Sequence, residues 1–303
     1  MVRVGTSGWS YPDWKRVLPV PRAMGRAEVL RLLSGLIDAI EVNAAFFAIP
    51  SLQSALDLME STAGNPNFRF SIKLHRVFSH HRTFCDTDVR LFSDYAGEFH
   101  RAGRLSAVLV QFPPSFRYGI DAKAYIKRLR DTFSELPLVV EVRHGTFAEP
   151  EFAEFLSKLA LGWAYVDQPY SGSALAPDLV ETSSPTAYFS LHGRNMQHRF
   201  RDDSDPMKHD YLYPRQELEE LAVRIERDSR KAEETLVIFN NTLGGQALVN
   251  ALELKAILLG RPVAAPSQLL RFFPGSKDLL LRQHPDQCDL FRRNAGCSAD
   301  LAD

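Results

Sequence analysis

Eight short apolar runs, each about the length of a β-strand, recur along the chain, and amphipathic helical patterns fill the gaps between them. The runs are "VRVGTSGW" (2–9), "AIEVNAAF" (39–46), "FRFSIKLH" (68–75), "AVLVQFP" (107–113), "LVVEVRH" (138–144), "GWAYVD" (162–167), "AYFSLHG" (187–193) and "TLVIFNN" (235–241). Segments such as 26–36, 122–133, 150–160, 214–232 and 245–259 carry apolar residues every three to four positions, the period of a helix with one buried face. Strands separated by helices pair in parallel, through right-handed crossovers.

Eight such units within about 260 residues match the size of a (β/α)8 barrel. The expected fold is α/β: a (β/α)8 TIM barrel forming a single domain over residues 1–260, with a short C-terminal extension at 261–303 packed on its outside. In that extension "PSQLLRFF" and "DLLLRQHPDQCDLFRR" are read as short helices, and the last residues as a frayed end. An open doubly wound sheet is the alternative, but no GxGxxG follows the first strand.

A chain of 303 residues, 45% hydrophobic and 24% charged, has ample material for the core of such a barrel. Its net charge of −1 gives the molecule as a whole no bias toward nucleic acid or an anionic membrane. Cys85, Cys288 and Cys297 are too scattered for a disulfide framework or a thiolate metal site. The opening "MVRVGTSGWSYPDW" lacks the apolar centre of a signal peptide, and no run of about 20 apolar residues suggests a membrane span. A reduced, soluble, cytoplasmic protein is expected.

In a barrel one phase of each strand faces the axis and the other faces the helices. Ile40 and Val42 alternate with Glu41 and Asn43, and Phe70, Ile72 and Leu74 with Ser71, Lys73 and His75. Val108, Val110 and Phe112 alternate with Leu109 and Gln111, and Val140 and Val142 with Glu141 and Arg143. Ala164 and Val166 alternate with Tyr165 and Asp167, and Phe189 and Leu191 with Tyr188, Ser190 and His192. In these six strands the second phase is expected to face the axis and to turn polar at the C-terminal end. Ser7 and Trp9 share the phase of Gly5, while the eighth strand leaves open which of Asn240 and Asn241 faces inward.

Those strand ends form the mouth where barrels of this kind carry their chemistry. Glu41, Glu141 and Asp167 supply carboxylates there, Lys73 and Arg143 supply cations, and His75, His192, Gln111, Asn43 and Asn240 or Asn241 complete a polar ring. A buried network that merely satisfies itself is the competing reading. Replacing such a network by apolar side chains is often neutral or stabilising, so stability alone explains it poorly.

The motifs "VGTSGWSYPDW" (4–14), "IEVNAAFF" (40–47) with "IPS" (49–51), "FSIKLHRVFSH" (70–80), "VLVQFPPSF" (108–116), "VVEVRH" (139–144), "LHGR" (191–194) and "FNNTLGGQALVNA" (239–251) fall in one order. Together they resemble the YecE-like family, domain-of-unknown-function family 72, over about residues 1–258. The resemblance implies a TIM barrel and leaves the activity open. Its intact positions are Trp9, Glu41, Asn43, Phe46, Lys73, His80, Gln111, Glu141, Arg143, Asp167, His192, Gly193, Arg194, Asn240 and Asn241. The chain departs where the family usually has Ser-Thr-Phe-Tyr: Ala44, Ala45, Phe46 and Phe47 remove two hydroxyls and a phenol from one rim. Ser79-His80 stands for Thr-His, and "VLPVP" (17–21) blurs an aromatic-Tyr-Pro.

Chemically, carboxylates crowded in one enclosed mouth suit acid–base work. Glu41 or Glu141 is the expected general acid or base, Asp167 a third catalytic carboxylate and His192 a second proton-transfer group. Lys73 and Arg143 would hold an anionic ligand, helped by Arg194. Trp9, Asn43, His80, Gln111, Asn240 and Asn241 are expected to line the ligand. Gly244 and Gly245 start a helix, so their free N–H groups are a further expected anion contact. No cofactor is expected. A divalent metal on Glu41, Glu141, Asp167, His75 and His192 is the weaker alternative, since Lys73 and Arg143 already bring positive charge and no HExxH occurs. No GxSxG elbow marks a nucleophilic serine, and Cys85 has no base beside it. The loop at 194–214 is long enough to act as a lid carrying Arg194 or His198 over a ligand.

Three functions remain open. The first is a metal-independent acid–base enzyme acting on a small anionic molecule, phosphorylated or polyhydroxylated. The second is a nucleic-acid-binding or phosphoester-processing protein like the barrel endonucleases, disfavoured by the net charge of −1. The third is a non-catalytic sensor of the same small ligand.

Overall fold

In the computed structural model each strand hydrogen-bonds to its neighbours in sequence and the eighth returns to the first, closing a parallel barrel. The described residues are 1–19, 24–169, 172, 174–177, 180, 184–196 and 206–282. The strands are β1 (Val2–Ser7), β2 (Ala39–Val42), β3 (Arg69–Lys73), β4 (Leu105–Gln111), β5 (Leu138–Glu141), β6 (Gly162–Asp167), β7 (Thr186–Leu191) and β8 (Glu234–Phe239). The helices are α1 (Arg26–Ser34), α2 (Ala44–Phe47), α3 (Leu52–Ser61), α4 (Asp86–Arg101), α5 (Ile120–Thr132), α6 (Pro150–Lys158), α7 (Arg215–Ser229) and α8 (Gln246–Leu259). Two of these, β2 and β5, stop short of the apolar runs that announced them, so Asn43 and Arg143 stand just past the strand ends.

Two apolar layers follow from the alternation. Inside the barrel a small plug of Ala39, Ala107, Leu109, Val139, Ala164, Val166, Leu236 and Ile238 surrounds Tyr188. Space here is short: a Cβ on Gly5 would sit 2.0 Å from the carbonyl oxygen of Ala39. The larger residues, Phe70, Ile72, Val108, Val140, Val142 and Phe189 among them, fill the wider layer between strands and helices. Burying both layers is the main force holding the fold.

One strand reverses the expected phase. Ala164 and Val166 belong to the inner plug, whereas Tyr165 lies outside with its ring 5.1 Å from that of Phe189 and 4.4 Å from the Arg224 guanidinium. Small side chains fit the narrow interior, and the rings of Trp163 and Tyr165 need the roomier helix layer. Asp167, two residues beyond Tyr165 and in register with the outward-facing Leu191, therefore lies on the outer phase.

Past α8, β9 (Val263–Ala265) and β10 (Leu280–Arg282) form a small parallel pair, with helix α9 (Ser267–Phe272) between them. Ala265, Leu269 and Leu280 join the outer apolar layer. Residues 280–282 are thus strand where a helix was expected, because they pair with β9 instead of burying a helical face. The remainder of that segment and the frayed end lie outside the described residues.

Candidate functional site at the barrel mouth

Four polar residues around the inner wall converge on one carboxylate, that of Glu41. Ser7 Oγ donates to Glu41 Oε1 at 2.8 Å and Tyr188 OH donates to Oε2 at 2.6 Å. Behind them Asn43 Nδ2 donates to Ser7 Oγ at 2.6 Å. Because the Tyr188 proton is committed to Glu41, the 3.1 Å contact with Ser71 must run from Ser71 Oγ to the phenol oxygen. Burial and then the Glu41 charge hold the Tyr188 phenol well above its ordinary range, so it stays a donor. Glu41 is 1% exposed, and no cation among the described residues lies within ion-pair distance of it.

A second network centres on Glu141, which is fully buried. Gln111 Nε2 donates to its Oε1 at 2.6 Å, and Arg143 reaches the same oxygen through Nε at 2.8 Å and Nη2 at 2.7 Å. Oε2 is buried with no hydrogen-bond partner among the described residues. Arg143 Nη2 also lies 3.3 Å from His192 Nε2, and Ser190 Oγ lies 3.0 Å from it. Asn240 Nδ2 stands 3.2 Å from the other nitrogen, Nδ1, so each ring nitrogen faces a donor.

Lys73 closes the ring. It is 9% exposed, and its ammonium has no carboxylate among the described residues within ion-pair distance. The neutral ring of Phe46 lies under it, 5.5 Å from Nζ. The His80 ring meets Phe46 edge-on at 5.0 Å, and His80 Nδ1 is 2.9 Å from Ser79 Oγ.

Asp167 and Arg194 form a separate cluster outside this mouth. Arg194 clasps Asp167 through Nε at 2.9 Å and Nη2 at 2.7 Å, and its Nη1 lies 3.3 Å from Glu217. Tyr211 OH donates to Glu217 at 2.9 Å, and Gly193 N donates to Tyr213 OH at 2.8 Å.

Comparison with known proteins follows this geometry. A family model described as "Protein of unknown function DUF72" matches residues 3–269. The chain belongs to the DUF72 family. UPF0759 protein YunF of Bacillus subtilis (strain 168) is 25% identical over 273 residues, covering 85% of this chain and 95% of YunF. A crystal structure of a DUF72 family protein from Thermotoga maritima MSB8 is 30% identical, with TM-score 0.75, and covers 86% of this chain and 99% of that one. Another, from Enterococcus faecalis V583, is 24% identical with TM-score 0.75, covering 86% of this chain and 96% of that one.

In this DUF72 protein the positions singled out from sequence divide. Glu41, Asn43, Lys73, Gln111, Glu141, Arg143, His192 and Asn240 meet at the mouth, with His80 beside them. The others stand elsewhere. Trp9 is 6% exposed and spends its indole N–H on the Arg26 carbonyl at 3.1 Å, bracing the loop after β1. Asn241 points the opposite way from Asn240 and donates to the Tyr211 carbonyl at 2.7 Å and Asn250 Oδ1 at 2.9 Å. Asp167 and Arg194 leave the mouth through the phase reversal of β6.

The glycine turn is also corrected as an anion contact. Gly244 N donates to the Asp13 carboxylate at 2.5 Å, so the protein's own anion already occupies it. Gly245 has φ +87°, and a Cβ there would lie 2.6 Å from Val17. Both glycines serve the turn. His75 stands apart from the ring, with Nε2 3.3 Å from the Phe47 carbonyl, and partial burial lowers its pKa. Among the described residues no group of three or more His, Cys, Asp or Glu side chains could hold a metal ion. His198 of the long loop lies outside the described residues. No helix among them is long and apolar enough to cross a membrane.

Four polar wall residues had been placed on the right strands without a role. Ser7, Ser71, Tyr188 and Ser190 share the axis-facing phase, yet a hydroxyl in a strand reads as ordinary until its partner across the barrel is known. Tyr188 and Glu41 are 147 residues apart in sequence.

Proposed function

We propose that the mouth binds a small anionic molecule, phosphorylated or polyhydroxylated, and performs acid–base chemistry on it. One observation carries the reading: the ammonium of Lys73, a residue only 9% exposed, is held against an aromatic ring with no counter-charge among the described residues. A cation with little solvent and no counter-charge is a seat that a ligand anion would fill. Arg143 would support the same anion from its unused Nη1 while remaining paired to Glu141.

Glu41 and Glu141 are the proton-transfer groups in this reading. Glu41 is held by neutral hydroxyls alone, so its charge is not locked by a cation. Glu141 keeps one oxygen free for a hydroxyl of the ligand. His192 would take or return a second proton. Asn43, Gln111 and Asn240 supply amide contacts suited to hydroxyls.

The test is thermal shift against a panel of sugar phosphates, polyol phosphates and hydroxy acids. A true ligand at 100 times its Kd stabilises by about 2.7 kcal/mol. That shift should vanish in Lys73→Met and persist in Glu141→Gln, whose turnover of the same compound is lost. A panel that stabilises wild type and Lys73→Met equally would refute the reading.

A further inference from the structure

The mouth leaves unused a pocket of about 380 Å³ at the same end of the barrel, between the loop after β3 and the first turn of α5. Arg82, Phe116, Arg117, Asp121, Tyr125 and Arg128 are among its walls. Three guanidiniums therefore face one carboxylate. No carboxylate among the described residues pairs with any of the three.

Each guanidinium is nevertheless held in place, and by a neutral group. Arg82 lies over the Phe116 ring at 5.6 Å and Arg128 over the Phe84 ring at 4.3 Å. Arg117 Nη1 lies 2.6 Å from His144 Nε2. His144 Nδ1 accepts the Thr146 backbone N–H at 3.2 Å and lies 3.0 Å from Thr146 Oγ1. Burial and the Arg117 charge both hold His144 below its ordinary pKa, in keeping with a neutral ring.

Rings and imidazoles orient a guanidinium without neutralising it. Arg82 is moreover held at φ +60°, a backbone conformation that side-chain-bearing residues seldom adopt. Arg128 and Arg82 both pull the Tyr125 phenol pKa down, while burial pushes it up to about 12.

We propose that this rim pocket is a phosphate-binding site, separate from the mouth, in which Arg82, Arg117 and Arg128 grip the oxygens of a phosphate ester. Planar guanidiniums suit that task because each can give two parallel N–H groups to two phosphate oxygens. The ester can belong to a small phosphorylated molecule or to a nucleic-acid backbone. The pocket's chemistry is the same for both, and its site does not depend on what the mouth binds.

The experiment is calorimetric titration with inorganic phosphate in a Lys73→Met background, where the ammonium of the mouth is gone. Phosphate binding should remain there and weaken at least ten-fold when Arg82→Ala and Arg128→Ala are added. Both side chains are exposed, and a matching thermal melt confirms that the added changes leave the fold intact. Binding that is absent from the Lys73→Met protein, or indifferent to the two added substitutions, overturns the proposal. A short single-stranded oligonucleotide provides a second arm. Salt-dependent binding through the same two arginines identifies the ester as a nucleic-acid backbone, and binding by phosphate and phosphorylated small molecules alone identifies it as a metabolite group.

Discussion

Arg143 gives both Nε and Nη2 to a single oxygen of Glu141, at 2.8 and 2.7 Å, and leaves the other carboxylate oxygen buried without a partner among the described residues. A pair built only for stability would match two N–H groups to two oxygens. This one concentrates three donors, with Gln111, on Oε1. The pair holds Glu141 firmly and keeps half of its carboxylate available.

Removing that carboxylate should be costly. Glu141→Ala leaves a largely buried guanidinium without its counter-ion, and a loss of about 3–5 kcal/mol is expected. Glu141→Gln keeps an acceptor for Arg143 and should lose clearly less. Urea unfolding of both variants against wild type checks the order and the gap.

Tyr188→Phe removes one hydroxyl and keeps the ring in the inner plug. Glu41 then loses one of its two donors in a buried site, at an expected cost of about 1–3 kcal/mol. A change below about 0.5 kcal/mol in the same unfolding assay would mean that the phenol does not hold Glu41.

The two glycine loops make predictions of different size for alanine. Gly193 has φ +88°, and a Cβ there would lie 2.4 Å from the Tyr211 Cβ, so Gly193→Ala combines strain with a clash. Gly244 has φ +62° with nothing within 4 Å, leaving strain alone. Gly244→Ala should cost about 1–2 kcal/mol and Gly193→Ala distinctly more. Thermal melts of the two variants test the ranking.

Most of the barrel was legible in the sequence because strand and helix leave different periods. The mouth was legible wherever a charged residue broke an apolar phase, as Glu41, Lys73, Glu141 and Arg143 do. Strand β6 misled because Tyr165 counts as polar by type but packs as a large ring, which moved Asp167 to the outer face. Asn240 and Asn241 could not be separated until Leu236 and Ile238 were seen inside the barrel, which fixes the parity of the strand. Gly244 looked like an anion site because nothing local reveals that Asp13, 231 residues away, fills it.

Glu253 supplies a pH test away from the site. Burial raises its pKa above the ordinary carboxylate range, against hydrogen bonds from Ser276 and Asn250. A carboxyl whose folded pKa is raised contributes most below its unfolded pKa, and that contribution is lost as pH rises through the folded value. Glu253→Gln has no such loss, so the variant should gain on wild type as pH rises from the ordinary carboxylate range, about pH 4, toward neutrality. Melting temperatures of both proteins across that range measure the gain, and a constant difference would contradict it.

The central claim is that Lys73 holds a small anion in the mouth. Native mass spectrometry of the purified protein addresses it most directly, comparing wild type, Glu141→Gln and Lys73→Met. Removing a charge that no carboxylate among the described residues pairs should not weaken the fold, so Lys73→Met is a sound comparison. The account predicts a small anionic adduct on wild type and on Glu141→Gln that is missing from Lys73→Met. The same adduct on Lys73→Met, at the same occupancy, would contradict it.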